Sequence, residues 1–333
     1  MRALVLRNKE LAIKEIDRPK PGPGQVLARV LASGICGSDL HVARFMEDMI
    51  EASRRQGGRG LGAQLDPGRD LVMGHEYVAE IAELGPGVDN WSVGARVSSI
   101  PISGYNPDLP GAYSEYVLMN ASLLLPVPEG LRNEVAAMTE PCAVGLHAAR
   151  AGRVEPAEIV LVMGAGPIGL MTLLWLKKAG VANVIVSDPA QARRDLAAKL
   201  GADHVIDPAS GSVVAAVRDA AGSAPRVVFE CVGVEGTLQQ AIETVAPGGR
   251  IVVAGVCLRE DRILPLVAID KQINIQFVLA YTQAEFAEAL EALGDGSIAA
   301  APMVTRKISL DELPAAFAAL ADPHDCKVVV TFP

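Results

Sequence analysis

The chain is poor in the features that mark several classes of protein. Its five cysteines, at positions 36, 142, 231, 257 and 326, are odd in number and widely spread. That excludes a disulfide framework and points to a reducing, cytoplasmic setting. Positive charge is not in excess: 30 Lys and Arg stand against 39 Asp and Glu, a net charge of −9. With no basic cluster to neutralise phosphates, neither nucleic acid nor a membrane surface is expected as a partner. No run of 18 apolar residues suggests a membrane span, and the apolar start at Met1–Arg7 is too short for a secretory signal. Aromatic residues make up only 4%, which gives no hint of a sugar-stacking surface. Internal repeats and low-complexity tracts are also missing.

What is present is a globular composition, half hydrophobic and 21% charged, over a length of 333 residues that suits two domains. The first 140 residues read as β-rich. A hairpin is expected over Met1–Leu6 and Leu11–Glu15, then strands over Gln25–Ser33, the second half of Leu71–Leu84, Ala95–Ile100 and Ala112–Met119. Val42–Gln56 has helical spacing, with Phe45, Met46, Met49 and Ile50 on one face, and Gly57–Gly68 reads as a flexible loop. From Leu131 the pattern changes to strands alternating with helices. A helix is predicted over Asn133–Ala151, and strands over Ile159–Met163, Val184–Ser187, His204–Ile206, Arg226–Cys231, Arg250–Ala254 and Ile273–Leu279. Six strands with helices between them imply an α/β fold, a doubly wound parallel sheet with its ligand at the carboxyl ends of the strands. A last helix and the strand Lys327–Phe332 close the chain.

The sheet begins with Ile159-Val-Leu-Val-Met-Gly-Ala-Gly-Pro-Ile-Gly169, a buried strand running into Gly164-x-Gly166-x-x-Gly169 and then an apolar helix. Gly164 permits a tight turn, Gly166 removes the side chain that would hold a pyrophosphate off the backbone, and Gly169 lets helix and strand pack closely. With Pro167 and Ile168, these residues place a helix N-terminus against the phosphates. Asp188 ends the next strand, 19 residues after Gly169, where an acid grips an adenosine ribose. Val232 and Gly233, just past the strand Arg226–Cys231, complete the expected nucleotide site.

Chemically able side chains gather in three other places: Cys36, Ser38 and His41 in one loop, His75-Glu76 before a strand, and Glu140 before Pro141. Thiolate, imidazole and carboxylate suit zinc, and three protein ligands leave a fourth position for water or substrate. Taken singly each has a plainer reading. A lone Cys is usually a small core residue, as read for Cys142, Cys231, Cys257 and Cys326, and a lone His by a strand end usually holds structure.

Together these stretches resemble one family. Gly34-Ile-Cys-Gly-Ser-Asp-Leu-His41, Gly74-His-Glu76, Glu140-Pro-Cys-Ala-Val-Gly-Leu-His147, Gly164-Ala-Gly-Pro-Ile-Gly169 and Gly248-Gly-Arg-Ile-Val-Val-Ala-Gly255 stand in the order found in the zinc-dependent medium-chain alcohol and polyol dehydrogenases. The resemblance implies a GroES-like catalytic domain from residues 1–140 and 281–333, a Rossmann NAD-binding domain at 141–280 inserted in it, and an active site in the cleft between them. It implies Cys36, His75 and Glu140 as zinc ligands, with Glu76 as the neighbouring acid. Ser38 takes the substrate proton and His41 passes it to solvent through the ribose. Asp188, Arg193 and Lys327 contact the ribose, the adenosine and the pyrophosphate. Strand Ile273–Leu279 is implied to pair with its copy in a homodimer or homotetramer.

The sequence departs from that pattern in two places. Ser98–Gly111, where relatives often hold a structural zinc on four cysteines, contains none, so one zinc per chain is expected. The 38 residues between Cys36 and His75 exceed the usual length, and Phe45, Met46 and Met49 either decorate the surface or roof the substrate pocket. Cys142 is a rival to Glu140, but on a helix the two side chains point about 200° apart. Asp188 accepts both ribose hydroxyls of NAD and repels the 2′-phosphate of NADP, which favours NAD although Arg193 and Arg194 stand near. The resulting expectation is a zinc-dependent, NAD-linked oxidoreductase for a primary or secondary alcohol, or a polyol, and the matching carbonyl. The rivals are a zinc-free quinone or enone reductase of the same fold and a non-catalytic NAD-binding protein.

Overall fold

The computed structural model describes residues 1–102, 104–319 and 324–333. By their contacts they divide into two compact units, Met1–Glu140 with Val304–Pro333, and Pro141–Met303.

The chain starts with a hairpin of β1 (Arg2–Arg7) and β2 (Glu10–Glu15). Its two turn residues, Asn8 and Lys9, have φ of 49° and 68°, the primed-turn geometry whose twist matches a two-residue hairpin. There follow β3 (Gln25–Gly34), α1 (Gly37–Arg55), β4 (Glu76–Leu84), β5 (Arg96–Ser98), β6 (Tyr116–Asn120), β7 (Leu125–Pro126) and α2 (Asn133–Ala136). The spine of the first unit is β3. It pairs antiparallel with β4 and, at Gln25–Arg29, with β6. Alternate residues share a face, so Val26, Ala28 and Val30 meet Ile81, Val97, Val117 and Met119 in one core.

Helix α1 bends at Phe45, whose φ of −131° and ψ of 33° leave the helical region. Met46 and Met49 are buried in it. The segment after it, Gly57–Gly68, is a mostly exposed loop, as read from sequence, anchored at a few points. A Cβ at Gly62 would lie 2.1 Å from the Met49 carbonyl oxygen, Leu65 is buried, and Asn8 N donates to the Pro67 carbonyl.

The predicted helix 133–151 is two helices, α2 and α3 (Thr139–Gly152). Pro141 has no N–H for the carbonyl four residues back, and its ring would clash there, so the helix has to restart with the proline in its first turn. The second unit continues through β8 (Ile159–Met163), α4 (Pro167–Lys178), β9 (Asn183–Ser187), α5 (Gln191–Lys199), β10 (His204–Ile206), α6 (Val213–Ala221), β11 (Val227–Glu230), α7 (Thr237–Thr244), β12 (Arg250–Val253), α8 (Pro265–Lys271), β13 (Asn274–Phe277) and α9 (Gln283–Gly294). Its six strands are all parallel, in the order β10-β9-β8-β11-β12-β13. This is the doubly wound Rossmann sheet, with the strand order reversing between β8 and β11.

The chain then returns through β14 (Val304–Ile308), α10 (Leu313–Ala319) and β15 (Lys327–Thr331). β15 pairs antiparallel with β3 at Ala32–Gly34 and parallel with β14, so the first unit's sheet is mixed. The sequence reading puts the return at 281, whereas 281–303 groups with the second unit. The reason is α9: His147 Nδ1 lies 3.0 Å from Glu285, and Arg150 donates to Glu288 at 2.6 Å, binding α9 to α3. The reading also misses α8, a seven-residue helix with no buried side chain, and β14. The last predicted helix runs toward 320–323, which lie outside the described residues. Among the described residues no helix is long and apolar enough to cross a membrane.

Candidate active site

Antiparallel pairing of β3 with β4 sets Gly34 opposite Glu76. It thereby brings the residues after β3 against those before β4. Ligand atoms of Cys36, His75 and Glu76 all lie within 4.8 Å of one another, the one such metal-capable group among the described residues. A thiol, an imidazole and a carboxylate in a half-buried pocket fit a zinc ion. Ser38 Oγ stands in the same place, 3.2 Å from Cys36 Sγ and 3.5 Å from His75 Nε2.

Behind His75 lies Asp39, fully buried. Its Oδ1 is 3.3 Å from His75 Nδ1 and accepts from the Tyr105 hydroxyl at 3.3 Å. Its Oδ2 accepts from the Tyr113 hydroxyl at 2.5 Å and from Cys36 N at 3.3 Å. With the Asp39 carboxylate on Nδ1, Nε2 is the nitrogen left to face Cys36, and a metal there would take the place of its proton. Burial opposes charge on both groups, yet each favours the charge of the other. The Asp39 pKa is accordingly lowered and that of His75 raised well above the usual value. Sequence reading missed Asp39, Tyr105 and Tyr113 as site residues. The available signal was an acid three residues after Cys36 in a helix first turn; the two tyrosines, 66 and 74 residues from it, left none.

The other expected residues fall as follows. Glu76 is fully buried and ion-paired with Lys327, whose ammonium reaches its carboxylate oxygens at 2.7 and 2.8 Å and the Ile35 carbonyl at 3.1 Å. All three ammonium hydrogens are thus engaged, and the group read as a pyrophosphate contact is bound to Glu76 in this structure. Burial works against charge on Lys327, but Glu76 overrides it and raises the pKa. Gly34 makes room for the pair, since a Cβ there would lie 2.2 Å from Glu76 Oε2. His41 is half-buried one turn beyond Ser38, its Nδ1 without a hydrogen-bond partner, its ring centroid 6.3 Å from that of Phe45. Burial, then Arg44, lower the His41 pKa, so the imidazole is neutral over a wider range. Glu140 sits half-buried in the first turn of α3, outside the 4.8 Å group. Cys142 is fully buried, and burial pushes its thiol up to about 12, which keeps it from forming a thiolate.

In the second unit the glycine fingerprint occupies the loop after β8, at the point where the strand order reverses. Gly164 has a φ of 92°, and a Cβ on it would meet Val232 Cγ2 at 3.0 Å. Gly166 has nothing within 4 Å of the position of a Cβ, while at Gly169 a Cβ would lie 1.9 Å from the Gly164 carbonyl oxygen. Pro167 and Ile168 open α4. The buried Asp188 accepts from Ala165 N and Ala190 N, each at 2.9 Å, and Arg193 Nη1 lies 3.9 Å from it. Arg194 points elsewhere, donating to the Asp188 and Pro189 carbonyls at 2.8 Å. The facing loop is shaped by a residue not anticipated: Glu230 accepts from Val232 N at 2.8 Å and Gly233 N at 2.9 Å. A helix N-terminus, an open glycine and a carboxylate at a strand end form a cradle for a dinucleotide.

Comparison with known proteins agrees with both units. Residues 22–129 match the alcohol dehydrogenase GroES-like domain and residues 167–295 the zinc-binding dehydrogenase domain. The chain is 32% identical over 323 residues to the (R,R)-butanediol dehydrogenase of Bacillus subtilis, covering 92% of this chain and 91% of that one. In structure it resembles a zinc-binding dehydrogenase of Sinorhizobium meliloti bound to NADP, with a TM-score of 0.86 and 27% identity over 99% of each chain. It also resembles an Escherichia coli alcohol dehydrogenase complexed with NADH, with a TM-score of 0.83 and 26% identity over 100% of this chain and 99% of the other. The chain belongs to the zinc-binding medium-chain alcohol/polyol dehydrogenases, NAD(P)-dependent enzymes acting on CH–OH groups.

Proposed function

We propose that this member of the zinc-binding dehydrogenases oxidises a primary or secondary alcohol, possessing one or more hydroxyls, or reduces the matching carbonyl, with NAD as cofactor. A single zinc is held by Cys36, His75 and Glu140. The observation that carries the reading is the convergence of the Cys36 thiol and the His75 imidazole beside the Ser38 hydroxyl, with Asp39 fixing the imidazole tautomer. Bound there, zinc supplies a Lewis acid that lowers the pKa of an alcohol oxygen, and NAD supplies the hydride acceptor. The chain's own residues do the rest. Ser38 Oγ receives the alcohol proton, and His41, neutral and without a partner at Nδ1, takes it onward toward solvent. Asp188 receives the ribose hydroxyls, and Gly166 leaves the backbone open to the phosphates.

Charge supports NAD over NADP. A buried Asp188 repels a 2′-phosphate; Arg193, 3.9 Å away, softens this, but Arg194, turned onto backbone carbonyls, adds nothing to the offset. Edge strand β13, the residues just after it and α8 expose Phe277, Leu279, Leu266 and Ile269, a face suited to a second copy of the chain.

Elemental analysis tests the metal assignment directly. One zinc per chain is expected in the wild type, lost together with alcohol turnover in Cys36→Ser and in Glu140→Ala. Zinc retained in Glu140→Ala but lost in Glu76→Gln would transfer the third ligand to Glu76. Absence of zinc in unchelated wild type would favour the metal-free reductase. A kcat/KM higher with NADP than with NAD would overturn the cofactor assignment.

A further inference from the structure

Ser38 has three neighbours within hydrogen-bonding range: Cys36 Sγ at 3.2 Å, His75 Nε2 at 3.5 Å and the Tyr105 hydroxyl at 2.8 Å. The first two are the atoms that face a metal, and their lone pairs point to it when it is bound. Tyr105 is then the protein partner left to Ser38. A serine hydroxyl turns about one bond among three staggered positions, and the shortest of its contacts selects among them.

We infer that Tyr105 is a positioning residue for Ser38, holding its hydroxyl in the orientation that receives the substrate proton. The inference rests on the reading of Ser38 as that acceptor.

The phenol is itself firmly held. Tyr105 is buried, and its ring meets the His75 ring edge-on, with centroids 6.0 Å apart at 85°. Its oxygen also reaches Asp39 Oδ1 at 3.3 Å. The loop that carries it, within the cysteine-free stretch between β5 and β6, is fastened to the segment that leads into His75. Gly111 N donates to the Val72 carbonyl at 2.9 Å and Ala112 N to the Gly74 carbonyl at 2.8 Å. A Cβ at Gly111 would lie 2.4 Å from the Met73 carbonyl oxygen, so the two strands of backbone are in contact.

A phenol carries one hydrogen and two lone pairs. Directed at Ser38, its hydrogen leaves the serine's own hydrogen free for another acceptor; directed at Asp39, it leaves a lone pair for the serine hydrogen. Either way the Ser38–Tyr105 bond persists, and the serine oxygen stays in place while its hydrogen changes partner. Tyr105 is not an exit for the proton. Beyond it stands Asp39, fully buried and already met by His75, Tyr113 and Cys36 N, so a proton sent that way has no route to solvent.

Tyr105→Phe keeps the ring and removes the hydroxyl. Expected are full zinc content, a KM within about twofold, and a kcat lowered about tenfold or more, as for a slightly misplaced reacting group. The solvent deuterium isotope effect on kcat rises as proton transfer becomes slower. Independently of turnover, urea midpoints of the wild type, Tyr105→Phe, Ser38→Ala and the double variant form a cycle in which the two changes are non-additive. A kcat within twofold of wild type with an unchanged isotope effect and additive midpoints overturns the inference. So does loss of zinc in Tyr105→Phe, because the hydroxyl's bond to Asp39, and through it the hold on His75, would then be what matters. If Tyr105→Phe does not fold, Tyr105→His, which keeps a ring and a donor, carries the test. A kcat within about threefold of wild type supports the inference and a drop as deep as that of Ser38→Ala overturns it. Failure of the parent reading looks different: the wild type itself would turn over no alcohol, or Ser38→Ala would leave kcat intact.

Discussion

At the scale of single residues, the candidate site depends on Asp39 more than its sequence suggests. A fully buried carboxylate is tolerated only when its lone pairs are occupied, and here two hydroxyls, one backbone N–H and an imidazole occupy them. Asp39→Asn keeps the shape but weakens the hold on His75 Nδ1. Supporting groups of this kind are worth about 10–100-fold in metal affinity, and a loss of that size is expected when zinc is competed away with a graded chelator. Affinity equal to wild type would show that the His75 orientation is set elsewhere. Cys36, Ser38, His41, His75 and Glu76 were visible in the sequence because their types are chemically able and their motifs short. Tyr105 and Tyr113 were not, because each reaches Asp39 from more than 60 residues away, and no local spacing encodes such a contact. Lys327 is legible as a cation, but its ion pair with a carboxylate 251 residues distant is not.

At the scale of elements, the turn between β8 and α4 was the most legible part of the chain. Its three glycines have three separate physical reasons, and two of them make opposite predictions. Gly169→Ala drives a methyl into the Gly164 carbonyl, and overpacking of this kind costs about 1–3 kcal/mol. A lowered Tm together with weakened NAD binding is expected. Gly166→Ala meets open space, so Tm is expected to stay within about 2 °C, on the usual scaling for a chain of this length, while the KM for NAD rises. Equal Tm losses in both would refute this division of roles. Less legible were helix ends. The proline that splits 133–151 was present in the sequence, but a strong run of apolar residues on either side outweighed it. Helix α8 is hard to see in the sequence because it is seven residues long and its apolar residues are split, Val267 and Ala268 toward the core and Leu266 and Ile269 outward, leaving no periodic pattern.

At the scale of the whole molecule, alternation of strands and helices was enough to give the parallel sheet, since its inner strands, β8, β9, β11 and β12, are buried on both faces and read as apolar runs. Where the chain leaves the second unit was harder to read. Helix α9 could pack in either unit as far as composition goes; it groups with the second unit through a buried face of Phe286, Ala289, Leu290 and Leu293 together with its ionic contacts to α3. The exposed apolar face of α8 and β13 gives a prediction at this scale. Phe277→Asp with Leu279→Asp is expected to lower the mass in light scattering to that of one chain while leaving the zinc content unchanged. An unaltered mass would place the assembly surface elsewhere.

The first unit is assembled from both sides of an insertion, and this has a bearing on the order of events on the ribosome. Residues 141–303 form an uninterrupted unit that is free to fold as soon as it has emerged, whereas the unit begun earlier still lacks β14 and β15. Until β15 arrives, one edge of β3 is open at Ala32–Gly34 and Glu76 has no lysine. Leaving one member of a buried pair alone costs about 3–5 kcal/mol, so the nascent site stays loose and admits water. The portion synthesised first is therefore the one whose sheet and buried ion pair await the last residues of the chain.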